Sequence, residues 1–465
     1  MRRYFSPICL LLSTVLLFAS CIDDDKTEVT LYDDIAITAF GLSSAKIYKH
    51  TTSSTGNDSV YAEMDGTVSN YPFHIDHLRG EIYNTDSLPA GIDASKSFCT
   101  YTTKNSGVVF LESFLGDSES ILSTSDTVDF SAPRYVKVHA MDNSSIRRYK
   151  ITVNVHKEKG DEFHWNRMPD FSGTAMLSGM KAVSTAGRIL VFCTDGNNTR
   201  IYSTDNGQTW NTESTVMGPE AWHNIAQTHN GLYVLDGNIL TVSTDGGASF
   251  SRIGENNGIR RLLGGSTTAL YALDGDGKII LSADGGQTWE ADIMTDDMAW
   301  MPSENIGFCC TPFRFADKTD YLLLTGTRPA AEYPDDSHAM VWRKISEYAP
   351  DSKPGKWIYM NMDDSDIYPL PRLEDITVLG YGKNLLAMGG ISIGNDSGEA
   401  LKHIYESRDG GITWKPSADY PLPDGLDRNI TTFAATVDAN NNMWIVCGGT
   451  GQVWCGRLNR MGWGK

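Results

Sequence analysis

Four short stretches place a hydroxyl, a carboxylate, a glycine and an aromatic ring at one fixed spacing. They are Ser203-Thr-Asp205-Asn-Gly207-Gln-Thr209-Trp210, Ser243-Thr-Asp245-Gly-Gly247-Ala-Ser249-Phe250, Ser282-Ala-Asp284-Gly-Gly286-Gln-Thr288-Trp289 and Ser407-Arg-Asp409-Gly-Gly411-Ile-Thr413-Trp414. A carboxylate so placed accepts hydrogen bonds from the N–H groups of its own turn. The glycine supplies positive φ without steric cost, and the ring buries a large surface. This chemistry locks a corner, so these aspartates are read as structural. Three other segments carry groups suited to a ligand: Pro219–His223 with Trp222, Asp296–Glu304 with Trp300, and Tyr368–Asp375 with Arg372 and Glu374. The two indoles could stack on a sugar or a peptide, and Arg372 with Glu374 could make polar contacts. The competing reading of each is packing that seals the top of a fold. No catalytic residue is assigned. His74 and His77 flank Asp76, but no paired CxxC or HExxH occurs, so neither a metal site nor a cofactor is expected.

The elements that must position these groups are strands. The corners at Ser203, Ser243 and Ser282 recur about every 40 residues, the length of one four-stranded propeller blade; the corner at Ser407 follows after about 125 more. Each unit has an apolar core strand: Ile189–Phe192, Leu232–Leu235, Leu270–Leu273, Leu322–Leu324, Leu385–Met388 and Met443–Val446. These predict six blades, with seven as the alternative if Glu290–Tyr405 hides two. Leu322–Thr325, Met340–Arg343 and Lys356–Met360 read as a blade that has lost its corner and gained loop insertions. Phe163–Met168 reads as an outermost strand that pairs with the C-terminal hairpin and closes the ring, which removes exposed edges. Upstream, Ile35–Phe40, Tyr135–Ala140 and Tyr149–Val155 alternate with period two, which predicts two sheets over one core. No helix of useful length is expected. The chain divides into residues 1–20, 21–26, 27–157, a linker at 158–162, and the propeller at 163–465.

The formal charge is −19, which disfavours nucleic acid and anionic membrane surfaces as partners. Beyond Cys21, six cysteines are spread too widely for a small-domain disulfide framework. Cys447 and Cys455 flank a Gly-Gly-Thr-Gly turn, either as a disulfide or as two buried thiols. Cys309 and Cys310 should point to opposite faces of a strand. The first twenty residues, with Arg2, Arg3 and the apolar run Ile8–Phe18, read as a targeting segment.

Several of these patterns are familiar. Phe18-Ala-Ser-Cys21 resembles a lipobox, which implies acylation of Cys21 and outer-membrane anchoring through lipid. The acidic run Asp23-Asp-Asp25 that follows resembles the signal that sends Bacteroidetes-type lipoproteins to the cell surface; the periplasmic face is the alternative. The corners resemble the Asp box of sialidases, sortilin-type receptors and photosystem assembly factors, in which such boxes lie away from the functional face. Asp129–Val153 resembles the last strands of an immunoglobulin- or cadherin-like sandwich found in such lipoproteins. Ile82–Asp93 resembles a segment of a lipoprotein family of unknown function. Asp58-Ser-Val60, Asp86-Ser-Leu88 and Asp126-Thr-Val128 resemble an O-glycosylation signal. A sialidase needs an Arg-Ile-Pro setting in its first blade. Here Arg188-Ile189 is followed by Leu190, and Pro312-Phe-Arg314 falls in a middle blade. The expectation is an all-β surface lipoprotein whose propeller binds a glycan, peptide or protein without catalysis. The alternatives are a carbohydrate-active enzyme or an envelope scaffold.

Overall fold

The computed structural model describes residues 34–52, 58–171, 173, 177–256, 258–350, 352, 355–360, 368–393 and 400–462. Cys21, the leader and the acidic run lie outside these residues. The chain divides into two compact units, Met1–Lys159 and Gly160–Lys465. Among the described residues every regular element is a strand or a short 3-10 turn.

In the first unit, Ile37–Thr52 lies between Asp58–Asp65 and Ile92–Thr103, antiparallel to both. A second sheet runs in the order Phe73–Asp76, Glu81–Asn84, Ile146–Thr152, Arg134–His139, Val108–Glu112 and Glu119–Ile121. Its pairing of Glu81–Asn84 with Ile146–Thr152 is parallel. Alternate residues of both sheets, among them Leu42, Ile82, Val109, Val136 and Tyr149, bury into one core, as period-two strands with one wet face must.

The second unit contains six four-stranded antiparallel sheets among the described residues. Five follow chain order: blade 1 from Gly179–Thr185 to Asn211–Met217, blade 2 from Ile225–Thr228 to Ser251–Glu255, blade 3 from Ile259–Gly265 to Glu290–Ala291, blade 4 from Glu304–Pro312 to Ile358–Tyr359, and blade 5 from Thr377–Tyr381 to Lys415–Pro416. Each apolar run singled out in the sequence is the second strand of its blade. Blade 6 takes three strands from the C-terminal end, Phe433–Val437, Met443–Cys447 and Val453–Leu458. Its outermost strand is Phe163–Met168, which pairs antiparallel with Val453–Leu458. Cys309 and Cys310 do face different cores. Cys455 sits opposite Trp444 rather than Cys447, and both remain thiols.

The corners join the third and fourth strands of their blades. At Ser243, the hydroxyl donates to Asp245 Oδ1 (2.7 Å) and accepts from Gly247 N (2.8 Å). Ser249 donates its N–H to Asp245 Oδ1 (3.0 Å) and its hydroxyl to Oδ2 (2.6 Å). The Ser282–Thr288 and Ser407–Thr413 corners repeat this pattern. Trp289 and Trp414 donate their indole N–H to the carbonyls of Gly286 and Gly411.

The first corner departs from the expectation. Asp205 makes only a 3.5 Å approach to Arg188 Nε and is three-quarters exposed. Ser203 is instead held by Arg188 and Glu213, Gly207 N is capped by Thr204 Oγ1 (2.8 Å), and buried Trp210 Nε1 finds no partner among the described residues. The other corners have two successive glycines, both at positive φ: Gly246 and Gly247, Gly285 and Gly286, Gly410 and Gly411. In the first corner Asn206 precedes Gly207 and does not adopt positive φ, and Arg188 with Glu213 engages the serine hydroxyl instead.

Each second glycine also meets the preceding blade. A Cβ on Gly247 would lie 2.2 Å from Leu190, one on Gly286 2.1 Å from Leu240, and one on Gly411 2.9 Å from Leu323. Gly286→Ala is therefore expected to cost on the order of 2–4 kcal/mol, from positive φ and overlap together. Asp205→Ala should leave the thermal midpoint unchanged. Calorimetric melting of the two variants checks both.

Candidate functional site

The inner strands of the blades run side by side around an axis and leave a recess of about 170 Å³ between them. Its lining draws on blades 1, 3, 4, 5 and 6 and on the 3-10 turn Ala221–His223 that enters blade 2. Small residues let the strands approach so closely. A Cβ on Gly264 would lie 2.2 Å from Phe308, and one on Gly307 2.9 Å from the Ile376 carbonyl. Two asparagines fix neighbouring strands at the rim. Asn224 Oδ1 accepts from Leu262 N (2.9 Å), and Asn305 Oδ1 accepts from Asp375 N (3.1 Å).

Four titratable groups line the recess: Lys181 from blade 1, His223 from the turn, Arg261 from blade 3 and Asp375 at the entry to blade 5. Lys181 Nζ has only long contacts, to the carbonyls of His223 (3.5 Å) and Ile225 (3.4 Å). Burial, then the nearby Arg261 charge, pulls its pKa down to about 7. Burial likewise lowers Arg261 to about 10, against the pull of Asp375 and Glu220. Arg261 Nε is buried and has no hydrogen-bond partner among the described residues. Burial, with Arg261 and Lys181 adding, takes His223 down to about 3, although Glu220 lies 3.4 Å from its ring nitrogen. Asp375 keeps contact with water, yet the protein crowded around it raises its pKa, burial first and the Glu374 charge second.

Trp222 and Phe308 supply the apolar part of the lining. Trp222 packs across Gly179, where a Cβ would lie 2.5 Å from the indole, and meets His223 edge-on at 4.9 Å. Lys181 and Phe308 also line a second recess, of about 460 Å³, bounded by Gln227–His229 and Gly264–Thr267. They therefore form the waist between the two.

The sequence-named residues divide. Trp222 reaches the axis. Trp300 lies in blade 4's entry loop, stacked on Tyr359 at 5.4 Å and 7°, with Arg328 over the Trp300 ring (4.6 Å) and over Tyr333 (3.8 Å). Arg372 does not meet Glu374. It is 5% exposed and donates to the Asp336 carbonyl (2.8 Å), while Asp336 pairs with Arg328. The Glu374 side chain is exposed beside Gly390. None of the four corners lines the axial recess. Ser407, Asp409 and Gly410 border a larger groove, about 970 Å³, between blades 4 and 5. That groove is bigger; of its cations, Arg314 and Lys383 are exposed and Arg343 is half-buried.

Sequence reasoning missed Lys181 and Arg261. The signal available was a cation inside an otherwise apolar inner strand, Gly-Met-Lys181-Ala-Val and Ile-Arg-Arg261-Leu-Leu. Only closure of the ring puts the two strands opposite one another, and a bulge between Ile259 and Arg261 sets which arginine turns inward.

Comparison with known proteins came down to the fold. The family described as "DUF6242 beta propeller domain" matches residues 159–465, and "Domain of unknown function (DUF6242) N-terminal domain" matches residues 40–153. No curated protein matches. Similar solved structures include "YCF48 bound to D1 peptide" (16% identity, 64% of this chain and 82% of that one, TM-score 0.33). Others are YCF48 from Cyanidioschyzon merolae (14%, 63% and 98%, 0.33) and an endo-arabinase from Bacteroides thetaiotaomicron (11%, 60% and 91%, 0.30). At such values they carry no argument about ligand or activity.

The lowered Lys181 pKa has a thermodynamic consequence. Between about pH 7 and the ordinary lysine value of 10.5 the unfolded chain binds a proton that the folded chain does not. Stability from this group therefore rises with pH across that window. Lys181→Met is expected to raise the melting temperature at pH 7, with the gain shrinking toward pH 10; melts across that range, set against the charges of Arg261, His223 and Asp375, check the sign.

Proposed function

The chain belongs to the DUF6242 family, and on that premise we propose that it is a lipid-anchored surface protein whose propeller binds a ligand without catalysis. The ligand is a glycan, peptide or protein partner, and it enters at the axial recess. The observation that carries this reading is the lining itself. Two cations without carboxylate partners stand beside an indole and a phenyl ring in a concave site. Convergent polar groups within an apolar pocket orient a ligand and give it specificity. Trp222 is the binding residue retained from the sequence. Trp300 and Arg372 pack within the loops beside blade 4, and Glu374 stands in solvent.

Anchoring at Cys21, outer-membrane localisation with display at the cell surface, and an immunoglobulin- or cadherin-like type for the first unit belong to the same proposal. Phe18-Ala-Ser-Cys21 and Asp23-Asp-Asp25 support it, as do the two sheets over one core. The first unit then spaces the propeller from the membrane.

One observation favours the carbohydrate-active enzyme instead. Burial, and then the Glu374 charge, raise the pKa of Asp375, which is the direction a general acid requires.

Glycan and peptide binding screens, run with hydrolysis assays on the protein lacking residues 1–21, separate the readings. Binding that loses affinity in Trp222→Ala, with no product released, is the expected result. Product formation abolished by Asp375→Asn overturns it in favour of the enzyme. Radiolabelled palmitate should enter the full chain and not Cys21→Ala.

A further inference from the structure

We infer that the axial recess takes the carboxylate of an acidic, monosaccharide-sized sugar, held between Arg261 and Lys181 with its ring against Trp222. The inference rests on the binding reading above and names the ligand's chemistry.

The first argument is an unfilled hydrogen-bonding demand. Arg261 is half-buried, and its Nε, shut off from solvent, has no partner among the described residues. Native proteins seldom leave such a group unpaired, because a buried unsatisfied charged donor is costly. Lys181, at the waist, has only the two long carbonyl contacts and no carboxylate partner. A planar carboxylate presents two oxygens to a guanidinium fork, and its charge stabilises both cations.

The second argument is charge balance. Burial has already drawn Lys181 down to about 7 and leaves His223 neutral. At neutral pH Arg261 is therefore charged and Lys181 stands near its own titration, where a ligand carboxylate would favour its charged form; the Asp375 carboxyl lies at the edge. A single negative charge matches such a recess. A phosphate or sulfate ester in a polyanionic chain does not, and the −19 formal charge of the chain repels such a polymer at long range.

The third argument is size and surface. A volume of about 170 Å³ accommodates one pyranose ring rather than an extended segment. Trp222 offers an aromatic wall beside the cations, and an aromatic ring gives a sugar an apolar face to lie against.

The test is titration calorimetry of the chain lacking residues 1–21 with glucuronate, methyl glucuronate ester and glucose. Saturable one-to-one binding of glucuronate, with ester and glucose at least tenfold weaker, is expected. Arg261→Gln should weaken glucuronate by tenfold or more, and the exposed Arg252→Gln should leave it unchanged. Lys181→Met provides a second variant if Arg261→Gln does not fold; it should weaken glucuronate and abolish the proton uptake seen on binding in buffers of different ionisation heat. Equal binding of ester and acid, or glucuronate affinity untouched in the folded variants, overturns the inference. A neutral glycan or a peptide found in the screens, with no glucuronate binding, also overturns it while the binding reading stands. Failure of every ligand overturns both.

Discussion

The structure depends on joining each blade to the next without a continuous sheet between them. Backbone hydrogen bonds hold the four strands of a blade; between blades they occur outside those ladders, as where Trp357 N donates to the Ile293 carbonyl (2.8 Å) and His229 N to the Thr267 carbonyl (3.0 Å). At the corners the crossing contacts are side chains meeting glycine. Leu190, Leu240 and Leu323 each press against the second glycine of the following blade's corner. The Tyr321 hydroxyl donates across to the Gly410 carbonyl. The carboxylate at the heart of the corner does not touch the neighbouring blade. It holds the loop in the one shape that exposes a bare glycine backbone to it. This explains why both positive φ and the missing side chain matter at the same residue.

Where a corner is absent, another device joins the blades. Blade 4 has no Asp box, and at its border with blade 3 a buried ion pair forms. Lys344 Nζ donates to both oxygens of Asp292 (2.7 and 2.6 Å), and Trp357 Nε1 donates to Oδ2 (2.8 Å). Both charged side chains are almost wholly buried, and the cation also lies 5.1 Å from the Tyr271 ring. Desolvation offsets much of such a pair's attraction, so its net stabilisation is small. What it contributes is specificity, since breaking it strands a charge. At the sixth blade, Trp444 and Met168 pack on Gly207 of the first, and the Phe163–Met168 strand completes the ring through backbone pairing. Corners, a buried ion pair and a borrowed strand thus each hold part of the ring, beside the apolar clusters that neighbouring blades share.

Closure also creates the axial site. Inner strands that approach at glycine positions leave a small recess between them. Trp222, Phe308, Lys181 and Arg261 are among the side chains that line it. Holding two cations there destabilises the ring, because burial disfavours each charge. Among the described residues no carboxylate forms an ion pair with either. Strain of this kind concentrates where a ligand completes the structure.

The sequence by itself determined the elements and their order. The Ser-x-Asp-x-Gly-x-Thr-Trp corners, the six apolar core strands and the outermost position of Phe163–Met168 were all legible, because period-two burial and turn chemistry act over a few residues. It also separated the two units to within a few residues of Lys159. The tertiary structure decided the rest. Asp205 matched the corner pattern in letters, yet Arg188 and Glu213 took the serine hydroxyl and the loop at Asn206 stayed out of positive φ. Arg372 and Glu374 stood two apart in a promising segment, but one was drawn inward to the Asp336 carbonyl and the other left in solvent. Lys181 and Arg261, some eighty residues apart, looked like interruptions of apolar strands. Which side chains face the axis depends on how six sheets close and on where a bulge turns one strand, and those are properties of the ring, not of any local stretch.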